Sequence, residues 1–523
     1  MNRGHPLSIL MIADVGSLSA FVPALASAFT RELRAHVRLQ LQSSPADAAQ
    51  TALATLLSLE KMLLRRNRPC WADRIAPSSL REWTSHKADV PISLIVDLTS
   101  KHQDHDLPVL RPVFNGGFGE EALASSVFFS GTPKIEITLR RTASNLPVVL
   151  CEGTASLEAA TGVGGAMEAV WSRAAMLMVQ AIRNRLSVDR HEPLHTAGSS
   201  PAPLSMPAVL RYSISAVAKA AAQAAYTLCC HRGHWRIGWR FADTSNDVWS
   251  HRSLAGVRWN VLQDPIDHFY ADPFPVFWHG KDYIFFEDLD HKTGKGIISV
   301  VEFDSSGRPG TAVPVLEEPW HLSYPFMIEA EGELWMIPEA SQSGQVTVYR
   351  AANFPWSWEP HAVLVSGTEA ADATIANYGG RLWMFAVVRN GFGGYSDALS
   401  LWSADQLLGD WHPHEMNPVL IDDRLARPAG AMVVRDGHLM RPVQDCRNGY
   451  GAALSLARVT MLNDSSFKQV VETVLVPGTK AWPGHKVHTL NSSGRLEAID
   501  GGVLRPRFPI ATEVAKYIYR PQG

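Results

Sequence analysis

Four carboxylates stand at recurring positions in the second half of the chain: Asp272, Glu287, Glu339 and Asp372. Acids brought to one point in pairs suit chemistry at a glycosidic bond. One carboxyl must stay protonated to give its proton to the departing oxygen, while another, ionised, works from the opposite side as base or nucleophile. Burial and like charge supply the required split in proton affinity. These four are therefore the expected catalytic groups. His321, Tyr324, Arg427, Arg441, Gln444, Asp445, His485 and His488 lie at equivalent places along the same stretch. They supply the donors, acceptors and cations that would hold a sugar among aromatic walls. No metal site and no cofactor is expected. For Asp272 the competing expectation is an Asx motif that closes a turn on its own backbone.

The elements that must carry these side chains are hairpins. Residues 270–290, YADPFPVFWHGKDYIFFEDLD, hold two apolar runs about a turn at His279-Gly280-Lys281, and both faces of each run are apolar, as in strands sandwiched between stacked layers. Asp272 and Glu287 lie symmetrically about that turn. A regular antiparallel ladder would put them directly opposite each other at one rim, with Cβ atoms about 5 Å apart. The same pattern returns at 324–339 around Gly332, at 372–387 around Gly379-Gly380, at 429–444 around Gly437 and, more weakly, at 487–501 around Gly494. Third strands follow the first four hairpins, at 296–303, 345–351, 398–404 and 451–459. Hairpin repeats with a period of roughly 50 residues predict a β-propeller, and the count predicts five blades. The starts of the innermost strands then converge at one face. Asp272, Tyr324, Asp372, the 427–429 segment and the 485–488 segment arrive there, and Glu287, Glu339, Gln444 and Asp445 return to the same rim.

The first 195 residues have a different texture. Buried-strand runs at 7–13 and 92–98 alternate with helical stretches at 18–35, 46–66 and 167–186, and 134–141 with 147–153 read as a strand pair. This order predicts an α/β, Rossmann-like domain. Residues 196–206 are rich in Pro, Ser and Ala and read as a linker. Residues 207–230 form an Ala-rich helix, expected to pack between domains, with a membrane-surface role as the alternative. From Trp235 onward the chain is dense in Trp and stays so. The expected division is thus 1–195, a linker with helix at 196–234, and a propeller at 235–523: a multi-domain chain, α/β followed by all-β. A polar HQDHD loop at 102–106 and a glycine-rich FNGGFGEEAL stretch at 114–123 are the other local features of the first domain.

Composition narrows the classes. The 523 residues are 46% hydrophobic and 19% charged, as in ordinary globular domains, and a net charge of −3 gives no electrostatic case for nucleic-acid binding. Five scattered cysteines argue against a disulfide framework and for a reducing, cytoplasmic setting. No stretch is apolar enough to predict a membrane span. Oligomeric state is left open.

The motifs ADPFP (271–275), FFED (285–288), HLSYP (321–325), MIPE (336–339), DATI (372–375), RPVQDC (441–446) and YGAALSLARV (450–459) resemble the five-bladed propellers of family 43 glycoside hydrolases. They are similar, more nearly, to the propeller domain of glucosamine inositolphosphorylceramide transferases and bacterial relatives, over about residues 235–510. In the hydrolase pattern Asp272 matches the blade-one base, and Asp372 stands where the blade-three general acid is normally Glu. Tyr324 replaces the blade-two aspartate that orients the pair. Residues 7–160 resemble the formyltransferase-like domain of the methionyl-tRNA formyltransferase superfamily. Its members use an Asn, a His in an HPS-type segment and a downstream Asp; here Asn115 is followed by Gly-Gly and no HPS occurs. These resemblances imply a carbohydrate or glycolipid substrate and a propeller funnel acting on a glycosidic bond, by hydrolysis or transfer. The alternatives are a non-catalytic glycan-binding module, or acyl or formyl transfer to an amino sugar by the first domain.

Overall fold

A computed structural model describes residues 7–507 apart from 44–47, 64–67, 85–89, 102, 104, 143–145, 186–201, 266, 390–392 and 483. The chain forms two compact units, which divide between Ala221 and Ala222 inside the helix Met206–Cys229.

The first unit is built on one mixed sheet. Its strands lie side by side in the order His36–Gln42, Ser8–Asp14, Leu94–Asp97, Val109–Phe114, Lys134–Arg140 and Val148–Thr154. The first four run parallel, and Lys134–Arg140 runs antiparallel to its neighbours on both sides. Helices Phe21–Leu33, Ala48–Leu63, Gly119–Ser130 and Gly162–Arg185 accompany it. The strand Val109–Phe114 had no counterpart in the sequence reading because Pro112 breaks its pattern. Its neighbour on one side pairs only with Val109 and Leu110, so Pro112 lies beyond that ladder and its missing N–H costs no bond there. Glu60 ties the helices together: it accepts bonds from the Val163 and Gly164 N–H groups at 2.6 and 2.9 Å, at the start of Gly162–Arg185. A carboxylate there meets unpaired amides and the positive helix end.

The second unit is a five-bladed propeller, with one sheet per blade. Blade one contains His268–Trp278, Lys281–Asp290, Lys295–Glu302 and Val313–Leu316. Blade two contains Ser323–Ala330, Glu333–Glu339, Gln345–Asn353 and Ser357–Ser366. Blade three is led by Ala370–Tyr378, Arg381–Val388 and Ala398–Ala404. Blade four has Val433–Arg435, His438–Asp445, Ala453–Asn463 and Ser466–Leu475. Blade five joins Leu490–Ser492 and Leu496–Pro506, from the end of the chain, to Cys230–Phe241 and Asn260–Val261, from before blade one. This closure explains why the fifth repeat was faint in sequence: its outer strands lie some 250 residues upstream of its inner ones.

Turn chemistry sets the hairpins. His279-Gly280, Glu331-Gly332, Gly379-Gly380 and Asp436-Gly437 each hold two consecutive residues at positive φ. That is the two-residue turn whose twist matches paired strands. The strands then bury both faces, as Tyr283–Asp288 does throughout. Between the blades pack clusters such as Tyr283, Phe285, Met336, Tyr349 and Trp358.

One expectation about register is corrected. Glu287 pairs with Ala271, not Asp272, and the ladder resumes at Phe274 with Phe285. Asp272 and Pro273 therefore occupy a β-bulge, two residues against one. The same bulge recurs at Tyr324-Pro325 and at Asp372-Ala373. Its first residue lies in the left-handed region each time, with φ of 50°, 44° and 57° for Asp272, Tyr324 and Asp372. A bulge re-aims the side chain it carries, and a tyrosine at such a φ is strained. Pro273 and Pro325 were the available signal, since proline inside a central strand is confined to bulges.

Candidate functional site

A cavity of about 280 Å³ opens at the rim where the inner strands begin. Asp272, Glu287, Glu339, His321, Arg427 and His488 line it, as do Trp235, Phe269, Ser323, Ser341, Ala371, Tyr395 and Tyr450. Six of the twelve residues expected from sequence are thus brought together.

Asp272 sits in a network that the fifth blade provides. Its Oδ1 accepts a bond from the Thr489 hydroxyl at 2.5 Å and lies 3.2 Å from His488 Nε2. Its own N–H donates to Asp500 Oδ2 at 3.0 Å. Asp500 in turn lies 2.9 Å from His488 Nδ1 and accepts the His488 and Thr489 N–H groups through Oδ1. These partners reach across the ring closure, so the aspartate is not an Asx motif. Burial weighs against an imidazolium at position 488, but the flanking carboxylates Asp500 and Asp272 dominate and push it up to about 10. For Asp272, burial works upward, and the charge and hydrogen bond of His488, the Thr489 hydroxyl and Arg427 together carry it below the ordinary aspartate value. Asp272 is accordingly ionised and His488 cationic at neutral pH. The ligand atoms of Asp272, His488 and Asp500 fall within 4.8 Å of one another. Such spacing suits a metal; with both ring nitrogens of His488 facing carboxylates, a cation bound there would have to displace a ring proton.

Glu287 behaves in the opposite way. Burial first, then the charge of Asp272, raises its carboxyl well above the usual glutamate value. Its Oε1 lies 3.3 Å from His321 Nε2, and His321 Nδ1 accepts the Gly296 N–H at 2.9 Å. That backbone bond leaves the ring proton on Nε2, facing Glu287. Glu339 is the blade-two equivalent: it pairs with Ser323 as Glu287 pairs with Ala271. Its Oε2 accepts from the Ser323 hydroxyl at 3.1 Å and its Oε1 from the Ser341 N–H at 2.8 Å. In blade three the corresponding residue is Val387.

The remaining expected residues fall elsewhere. Asp372 is buried beneath Arg427, whose Nε donates to its Oδ2 at 2.6 Å. Burial lifts this carboxyl to about 6 against the pull of that guanidinium. Tyr324 is sealed off from solvent; its hydroxyl accepts the Gly430 N–H at 2.7 Å and meets Thr374 Oγ1 at 2.8 Å, which stitches blades two, three and four together at the axis. Arg441 turns outward between Phe385 and Phe467, and its Nη1 donates to Gln469. Gln444 donates to the Pro428 carbonyl at 3.1 Å, and Asp445 pairs with Arg447 at 2.6 Å. The backbone of His485 is bonded to Gly502, and its side chain lies off the cavity wall. Of the blade-four groups, Arg441 meets Phe385 of blade three, while Gln444 and Asp445 are engaged within their own blade.

The sequence reading missed the aromatic wall and the fifth-blade carboxylate. Trp235 lies against His488, ring centres 4.0 Å apart and tilted by 48°, and stands 5.7 Å, edge-on, from Tyr450. The Arg427 guanidinium lies 4.8 Å from the Tyr450 ring centre. Trp235 comes from the strand that closes the ring, and periodicity cannot assign such a strand to the last blade. Asp500 was visible in the fifth hairpin, in the second strand as Glu287 and Glu339 are in theirs. In the first unit, His102 and Asp104 of the polar loop lie outside the described residues. Asn115 has φ 47° and accepts through Oδ1 the N–H of Lys134, which opens the neighbouring strand, at 3.0 Å.

The family described as "Glucosamine inositolphosphorylceramide transferase 1, N-terminal" matches residues 262–500. Glucosamine inositolphosphorylceramide transferase 1 of Arabidopsis thaliana is 29% identical over 303 residues, which cover 52% of this chain and 39% of that protein. The protein of the same name from Oryza sativa subsp. japonica is 31% identical over 248 residues, 45% of this chain and 33% of that one. The chain thus spans between a third and two-fifths of the length of these relatives. Similar solved structures include Zg3597, a family 117 glycoside hydrolase of Zobellia galactanivorans, at 10% identity and a TM-score of 0.34, covering 51% of this chain and 90% of that one. The GH43_1 enzyme from Xanthomonas citri is 12% identical with a TM-score of 0.33, covering 46% and 89%. The propeller therefore resembles the N-terminal region of the transferase family, as its motifs led one to expect.

Proposed function

We propose that the propeller cavity takes a sugar of a glycolipid and acts on its glycosidic bond, with Glu287 as proton donor and Asp272 as the ionised partner. The observation that carries this reading is the convergence of Asp272, Glu287 and Glu339 on one cavity walled by Trp235, Tyr450 and Tyr395. Apolar ring faces beside carboxylates match the two sides of a pyranose. Glu287 would protonate the departing glycosidic oxygen. Asp272 would take the proton of the attacking hydroxyl, from water in hydrolysis or from an acceptor in transfer. The opposed directions of the two proton affinities support that division of labour. The name shared by the relatives, glucosamine inositolphosphorylceramide transferase, supports an amino sugar and a glycolipid as the substrate class.

A second reading, glycan binding without cleavage, is favoured by one feature. Asp372 stands where the hydrolase pattern has its general acid, and Arg427 covers it. For the first unit, the mixed sheet supports a Rossmann-like layer: Asp14 and Asp97 end adjacent parallel strands, at the edge where such sheets receive ligands.

The test uses Glu287→Gln, which keeps the shape of the side chain and removes its proton-donating carboxyl, with the melting of the variant compared with that of the parent. A panel of aryl glycosides, including glucosaminides, and of glucosamine-bearing inositol glycans serves as probe. Turnover that falls roughly 100-fold or more in the variant, with melting unchanged, supports the enzyme reading. Calorimetric binding of a glycan by a parent without turnover selects the second reading. Neither turnover nor binding across the panel removes both.

A further inference from the structure

The acids around the cavity differ in what neutralises them. Asp272 and Asp500 flank the His488 imidazolium at 3.2 and 2.9 Å, Asp372 lies under Arg427 at 2.6 Å, and Glu287 faces His321 Nε2 at 3.3 Å. Glu339 has no such partner: among the described residues no Lys, Arg or His pairs with it, and its oxygens accept from the Ser323 hydroxyl at 3.1 Å and the Ser341 N–H at 2.8 Å. Those two neutral donors leave each oxygen a further acceptor position. The side chain is 9% exposed, and it borders the cavity. Burial comes first among the causes that raise Glu287 and Asp372, and in both the negative charge of Glu339 adds to it. A carboxylate held in a nearly closed wall without a counter-ion is costly until something brings the opposite charge.

The neighbours of Glu339 indicate the chemistry of that cation. Ser323 and Ser341 line the same cavity. Ser323 pairs with Glu339 across the blade-two ladder, and Ser341 follows it by two positions in the chain. Each hydroxyl oxygen has two lone pairs, and an alkylammonium group has three N–H donors and no acceptor. One carboxylate and two hydroxyls can therefore serve such a group completely. A divalent metal asks for several carboxylates or imidazoles together, and the described residues that meet that condition, Asp272, His488 and Asp500, do not include Glu339. The Tyr395 ring stands on the same wall, with its hydroxyl turned to Glu369 at 3.0 Å.

We propose that Glu339, with the Ser323 and Ser341 hydroxyls, forms a subsite for an ammonium group, by which the cavity selects a sugar with a free amine over the same sugar with a hydroxyl or an acylated amine. That the ligand is a sugar rests on the glycan reading above; the unmatched charge of the subsite does not. A hydroxyl in that place brings no charge. An acylated nitrogen brings one N–H instead of three, and an acyl group that must also be housed. Both leave the Glu339 carboxylate without a counter-ion, and a buried polar group left unpaired is what makes discrimination strong. The two repeat-equivalent glutamates thus take separate tasks: Glu287 gives a proton, and Glu339 sets which sugar is held.

The experiment is calorimetric titration of the full chain with glucosamine, N-acetylglucosamine and glucose at about pH 6, where an ordinary amine is protonated. The expected result is that the parent binds glucosamine about tenfold or more tighter than either of the other two, as a charge-assisted contact provides. Glu339→Gln keeps an acceptor oxygen for the Ser341 N–H. It should lose most of that advantage while its affinity for glucose stays within about twofold of the parent's. Ser323→Ala removes one of the three acceptors and should narrow the preference about threefold; it serves as the deciding variant if Glu339→Gln does not fold. A parent that binds the three sugars equally or prefers the acetylated one, a preference that survives the substitution unchanged, or a variant that weakens on all three sugars alike, as a purely structural glutamate would, overturns the proposal and leaves the glycan reading standing. A parent that binds none of the three overturns both.

Discussion

His488 fixes the charge pattern of the cavity, because two carboxylates flank it and it keeps its proton far beyond neutrality. Its contribution to stability has a definite sign. A histidine raised from 6.5 to about 10 holds a proton in the folded chain that the unfolded chain has lost, so its stabilisation is complete below about pH 6.5 and disappears as pH rises through about 10. Asp272, held low, contributes above pH 3.8 and ceases to as pH falls through its depressed value. His488→Gln should remove the alkaline loss and cost roughly 3–5 kcal/mol at neutral pH, the usual effect of stripping one partner from a buried ion cluster. It should also release Asp272 upward, so that the acidic limb of any glycan binding or turnover moves to higher pH. Denaturant titrations between pH 5 and 10, with a pH profile of binding, test both; an unmoved acidic limb would show that His488 does not set the state of Asp272.

At the scale of elements, the bulges and glycines decide where side chains go. Gly296 sits where a Cβ would meet the Leu322 carbonyl at 2.5 Å, His321 Cε1 at 2.8 Å and Glu287 Oε1 at 3.0 Å. Gly296→Ala should therefore part His321 from Glu287 and reduce glycan handling more than its stability loss explains. In the closing blade, a Cβ on Gly501 would meet Trp482 Nε1 at 2.5 Å and one on Gly238 would meet the same indole at 2.7 Å, whereas Gly494, at φ 86°, has open space around it. Overpacking costs about 1–3 kcal/mol and a positive-φ alanine roughly 1 kcal/mol. Urea denaturation should thus rank Gly501→Ala as more damaging than Gly494→Ala; the reverse order would mean that the Trp482 packing is looser than these distances require.

For the whole molecule, ring closure joins distant parts of the chain, and the site depends on it. Trp235 enters with the closing strand, while Thr489, His488 and Asp500 enter with its partners, so the network around Asp272 exists only when residues 230–241 pair with 496–506. A fragment of residues 222–523 should fold and bind glycan like the parent. A fragment beginning at residue 243, without the closing strand, should lose protection across blade five and at Asp272. Amide hydrogen exchange on the two fragments checks this, and equal protection would mean that the propeller closes without that strand.

The sequence by itself determined the repeat, the count of five blades, the hairpin turns and the placing of Asp272, Glu287 and Glu339 at one rim. Those features are local: a glycine pair enforces a turn, and a period of apolar residues enforces a strand. It did not determine the register at Asp272, because a bulge shifts pairing by one residue and only Pro273 hinted at it. It misplaced Asp372, Arg441, Gln444 and Asp445, because which face of a strand looks into the cavity depends on how the blades are tilted against one another. Only the tertiary structure joined Trp235 to His488 and set Asp500 behind Asp272. Those contacts join segments more than 200 residues apart, and no local pattern in a chain encodes a partner at that distance.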